Sequence, residues 1–80
     1  GVEDVESSNF LTVYPNPVQD MLFIRSDGKV QAASVYSLAG QLQMSTQNTS
    51  SVDVSGLQTG MYLLQVKTDK GTEVKNFIKQ

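Results

Sequence analysis

The sequence predicts an all-β domain, an immunoglobulin-like β-sandwich of about seven antiparallel strands in two sheets. Three observations lead there. Short segments rich in β-branched and aromatic residues alternate with turn residues at close intervals from about Asn9 onward. No segment keeps the i, i+3, i+4 apolar spacing for three turns, and Gly, Ser, Thr and Val dominate, so helix is disfavoured. Finally, Leu57-x-x-Gly60-x-Tyr62 opens the sixth segment. Such sandwiches often carry a corner tyrosine there, its hydroxyl bonded back to nearby backbone.

Residues 1–8, "GVEDVESS", hold three acids and no periodicity, which reads as a solvated linker ahead of a domain spanning 9–80. The first strand is "NFLTVY", stopped by "PNP", because Pro15 and Pro17 have no amide to give to a ladder. In "DMLFIRS", Leu22 and Ile24 share one face and Met21, Phe23 and Arg25 the other. Asp27-Gly28 has the chemistry of a two-residue hairpin turn. "KVQAASVYSL" puts Ala33 and Val35 on one face and Val30, Ala32, Ser34 and Tyr36 on the other. Ala39-Gly40 turns the chain into "QLQMSTQ", where Leu42 and Met44 alternate with polar neighbours. After the loop "NTSS", Val52 and Val54 of "VDV" face one way, up to Ser55-Gly56. The sixth strand aligns Tyr62, Leu64 and Val66, each stabilising by about 1.5–3 kcal/mol if buried. "TDKGT" closes a hairpin with Gly71 at the left-handed position, and "EVKNFIKQ" is the last strand.

Eighty residues allow one modest core. Without cysteine or histidine there is no disulfide, no thiolate metal site and no imidazole base. The acids Asp20, Asp27, Asp53 and Asp69 are scattered over turns, so no catalytic or metal-binding constellation and no cofactor is expected. A net charge of −2 gives no footprint for nucleic acid or anionic lipid. No apolar run reaches the length that spans a bilayer, and no basic-then-apolar leader opens the sequence, so an export signal is expected on a parent chain upstream.

Several features admit two readings. "YPNP" serves either as a recognition knob or, the favoured account, as an edge stop. Gly40 and Gly60 sit where turns need them. Tyr14, Tyr36 and Tyr62 could stack on sugars, but carbohydrate platforms usually add Trp, which is absent. In the last strand, Lys75 and Lys79 alternate with Val74, Asn76 and Ile78, the pattern of an edge guarded against aggregation. Phe77 and Ile78 are consecutive and so point to opposite faces, one of them away from the core. An exposed apolar residue on an unpaired last strand would suit strand addition by a partner, and also dimerisation of an isolated copy.

"VYPNPVQDMLFI", "VYSLAGQL", "DVSGLQTGMYLLQVKTDKG" and "KNFIKQ", in that order, resemble the C-terminal sorting domain (type A) of type IX, or Por, secretion cargo in Bacteroidetes. The resemblance implies a non-catalytic address label on an exported parent. The label is recognised in the periplasm and directs passage through the outer-membrane translocon, with an outer-membrane shuttle protein among its partners. A sortase-like surface peptidase typically removes it, in or before residues 1–8, leaving the cargo on the cell surface or secreted. It further implies a signal role for Lys75, Asn76, Phe77, Ile78, Lys79 and Gln80. Tyr14, Pro15, Asn16, Pro17, Gly40, Gly60 and Tyr62 fall on family motifs that are mainly structural. A fibronectin type III-like spacer or ligand-binding module of a surface protein is the alternative.

Overall fold

A computed structural model describes residues 11–80. The expected linker and the expected strand start at Asn9 and Phe10 lie outside the described residues. Seven strands follow: β1 (Leu11–Tyr14), β2 (Met21–Ser26), β3 (Val30–Ser37), β4 (Leu42–Gln47), β5 (Ser51–Asp53), β6 (Gly60–Thr68) and β7 (Gly71–Lys79). They form two sheets, ordered β1-β2-β5 and β4-β3-β6-β7, with every ladder antiparallel. In immunoglobulin terms β1, β2 and β5 take the A, B and E places, and β3, β6 and β7 take C, F and G. The fourth strand bonds to β3, so it extends the C-F-G sheet instead of joining the A-B-E sheet.

Alternation selects the core. From one sheet come Leu11, Leu22, Ile24 and Val52, and from the other Ala33, Val35, Leu64, Val66 and Phe77, all buried. Val18 and Val54, just outside the strands, are fully buried with them. Small β-branched side chains suit this narrow space, because most of them are restricted at χ1 already and lose little freedom on packing.

Two bulges move side chains from the faces that strict alternation assigns. Val30 pairs with Thr68 while Ala32 pairs with Lys67, which leaves Gln31 as the extra residue. Val30 therefore joins Ala33 and Val35 inside, at 8% exposure, and not Ala32 and Tyr36 outside. Likewise Tyr36 pairs with Leu42 and Val35 with Met44, so Gln43 is extra. Leu42 turns outward, 57% exposed, while Met44 packs against the core.

The Asp27-Gly28 hairpin is corrected outright. β2 and β3 belong to different sheets, so this dipeptide lies in a sheet-to-sheet crossover. Close approach favours glycine there: a Cβ on Gly28 would collide with the Asp69 carboxylate and would lie 2.6 Å from Lys70 Cγ, so those side chains would have to shift. Asp69 reaches across for a reason, since its carboxylate accepts from the Lys29 amide at 2.8 Å. The hairpin between β6 and β7 does form, but as a two-residue turn, Asp69-Lys70, with Gly71 paired to Thr68 inside β7 at φ +134° and not in a bulged loop.

Candidate functional site

The ladders bring the separated motifs to one pole of the sandwich. Ser37 at the end of β3 pairs with Tyr62 near the start of β6, and Tyr62 pairs with Phe77 near the end of β7. Gly60 pairs with Lys79. The turn between β3 and β4 caps the same pole. There the Gly40 amide donates to Ser37 O at 2.9 Å, with Gly40 at φ +89°, a conformation that favours glycine.

Tyr62 is the expected corner tyrosine. Its hydroxyl donates to the carbonyl of Gln58, four residues upstream, at 2.7 Å. Its ring stacks on Phe77 with centroids 5.7 Å apart and planes 22° apart. One side chain thus pins the loop before β6 and covers the largest buried residue of β7.

The tract after β1 reaches the other side of β7. Both Tyr14–Pro15 and Asn16–Pro17 are cis. Asn16 Oδ1 accepts the Ile78 amide at 2.9 Å. Val18 donates to Ile78 O at 2.8 Å and accepts from the Gln80 amide at 2.8 Å, which makes a parallel bridge between Val18 and Lys79. "YPNP" is therefore an edge stop in a stronger sense than the sequence suggests: it ends β1 and also covers the end of β7. The expected unpaired edge is corrected at residues 78–80, where these bonds occupy it.

The side chains of β7 divide as the Phe77/Ile78 argument requires. Phe77 is 0% exposed and Ile78 is 41% exposed. Lys75 and Lys79 fall on the Phe77 side, and Asn76, Ile78 and Gln80 face solvent. Lys75 sits 3.1 Å from Glu73, and Lys79, only 7% exposed, donates to Gln80 O at 2.7 Å. The lysines guard the edge by pointing inward, with their stems in the sandwich. A cleft of about 280 Å³ between Leu11, Thr12, Val13, Asn16, Lys75 and Asn76 joins the tract to β7. A larger cleft, about 480 Å³, involves Tyr14 as its only candidate residue, and the rest of its lining comes from the 24–30 and 48–50 segments.

Among the described residues no three His, Cys, Asp or Glu side chains come together as a metal site. The pKa of Asp53 is held below the ordinary aspartate value by the Ser55 hydroxyl and then by the Ser55 amide.

Sequence reasoning missed Val18, Gln58 and the role of Asn16. No local signal could have revealed the last, since Asn16 and Ile78 are 62 positions apart. A family model described as the secretion system C-terminal sorting domain matches residues 12–80. A search of curated proteins finds no match.

Proposed function

Because the chain belongs to the family of secretion system C-terminal sorting domains, and is thereby a sorting signal for type IX secretion, we propose that it is a folded label read at the pole where its motifs meet. The family is one of sorting signals and not of enzymes, it engages the secretion machinery, and it marks its parent for the cell surface or for secretion. The finer reading is that the folded label is recognised in the periplasm by an outer-membrane shuttle protein and passed to the translocon. A sortase-like peptidase then cuts in or before residues 1–8, the linker ahead of a domain at 9–80. Of the last strand, Asn76, Ile78 and Gln80 contact the receptor, while Phe77 and Lys79 keep the strand in place.

The observation that carries this reading is the convergence. Asn16, Gly40, Gly60, Tyr62 and the end of β7 lie far apart in sequence and come together through the β3-β6-β7 ladders, the Asn16–Ile78 bond and the Val18–Lys79 bridge, whereas Tyr14 pairs with Phe23 of β2 and lies beside its ring. The fibronectin type III-like spacer alternative rests on the same fold and has no observation of its own.

The test is a periplasm-directed reporter fused to residues 1–80 in a bacterium with type IX secretion. The unaltered fusion is expected at the surface. A double variant, Asn76→Ser with Ile78→Ser, is expected to stay folded and to reach the surface roughly tenfold less, the effect of about 1.4 kcal/mol of lost recognition. An unaltered fusion retained in the periplasm would falsify the label reading. A fully delivered double variant would move the contact away from β7.

A further inference from the structure

We propose that Asn16 and Val18 are positioning residues of the signal: they close the edge of β7 at residues 78–80, so that this end is read as a covered ribbon and not captured as a bare strand. This rests on the label reading above. Three bonds define the closure, from the Ile78 amide to Asn16 Oδ1, from the Val18 amide to Ile78 O and from the Gln80 amide to Val18 O.

The sequence of the tract explains why the closure is so short. Pro15 and Pro17 have no amide hydrogens, so the tract cannot run alongside β7 as a ladder strand. Between them, Asn16 supplies its side-chain carbonyl where a backbone carbonyl would otherwise be needed. The atom facing Ile78 is fixed as oxygen, because an amide hydrogen points at it. The first residue past the prolines, Val18, then pairs by its own backbone and drives its side chain fully into the core.

The ladder geometry gives the closure a defined extent. The Ile78 amide points away from β6, so by alternation those of Thr72, Val74 and Asn76 do too. Among the described residues none of these three has a backbone partner on that side. Strand addition at 78–80 would first have to break these three bonds and lift Val18, whose side chain is fully buried, out of the core. With the closure intact, what remains for a receptor is the outward side chain of Ile78, flanked by Met61, its cross-strand neighbour, and by Gln80.

Two measurements on the same variants test this. In the 80-residue chain, Asn16→Ala is expected to speed hydrogen exchange of the Ile78 amide about fivefold relative to the β3 and β6 amides, the effect of one net hydrogen bond. Asn16→Asp keeps an oxygen acceptor and is expected to restore slow exchange. In the reporter fusion, Asn16→Ala is expected to lower surface delivery and Asn16→Asp to recover it. Unchanged exchange at Ile78 in Asn16→Ala overturns the closure. Faster exchange with delivery equal to the unaltered fusion, or faster delivery, overturns its role in the signal. The exchange arm needs no secretion, so it judges the closure even where the label reading itself fails.

Discussion

Tyr62 joins two functions in one side chain, a ring against Phe77 and a hydroxyl on Gln58 O, and the two can be separated. Tyr62→Phe keeps the stack and removes the bond, so a loss of about 1 kcal/mol is expected, seen as a lower urea midpoint with unchanged slope. A larger loss would mean that the loop carbonyl is left without water when the hydroxyl goes. Asp53 offers a second check at this scale. Its carboxylate accepts from the Ser55 hydroxyl at 2.6 Å and the Ser55 amide at 3.0 Å, which favours the ionised form and lowers its pKa. A depressed folded-state value means that this contribution is present above the unfolded value of about 3.9, and is lost as pH falls through the folded value. Ser55→Ala is expected to raise the Asp53 pKa in an NMR titration, because it removes the largest cause of the shift. An unmoved titration would assign the shift to the backbone bond alone.

Within β7, adjacent residues have opposite roles. Phe77→Ala removes a fully buried ring and is expected to cost about 3–5 kcal/mol, comparable to the whole stability of a domain this small. Ile78→Ser, on the solvent side, is expected to change stability by no more than about 0.5 kcal/mol. The β2–β3 crossover gives a matching pair of glycines. Gly28→Ala is expected to lower the melting temperature clearly, because its new methyl meets the 69–70 turn, whereas Gly56→Ala meets nothing within 4 Å. The elements themselves were legible because each strand carries its own period-2 pattern, so all seven could be placed from residues close in sequence. What failed was whatever depends on a neighbour strand. Gln31 and Gln43 are ordinary strand residues until the register against β6 and β3 makes each of them extra. Asp27-Gly28 has hairpin chemistry locally, yet burying Ile24 and Val30 from two different sheets turns it into a crossover. The corner tyrosine was readable because its partner is only four residues away.

For the molecule as a whole, the last strand, which we propose carries the signal, is also part of the core and of the four-stranded sheet, and this decides which experiments can separate the two. Removing residues 75–80 is the direct way to ask whether the end of β7 is the signal. It would also delete Phe77 from the core, the stacking partner of Tyr62, the ladder along the first half of β6, and the closure made with Asn16 and Val18. The seam that ties the two sheets at this pole would open. A truncated chain is therefore expected to lose its cooperative thermal transition by circular dichroism and to be degraded before any sorting step can be scored. Loss of export in that chain would report unfolding, since a marginal 80-residue domain has no spare core to draw on. Substitutions confined to Asn76, Ile78 and Gln80 leave every one of those contacts in place, because the backbone bonds do not depend on side-chain identity. If the truncated chain instead keeps a sharp transition near that of the full domain, β7 beyond Val74 is dispensable to the fold. Its inward lysines and buried phenylalanine would then need an explanation in recognition and not in packing.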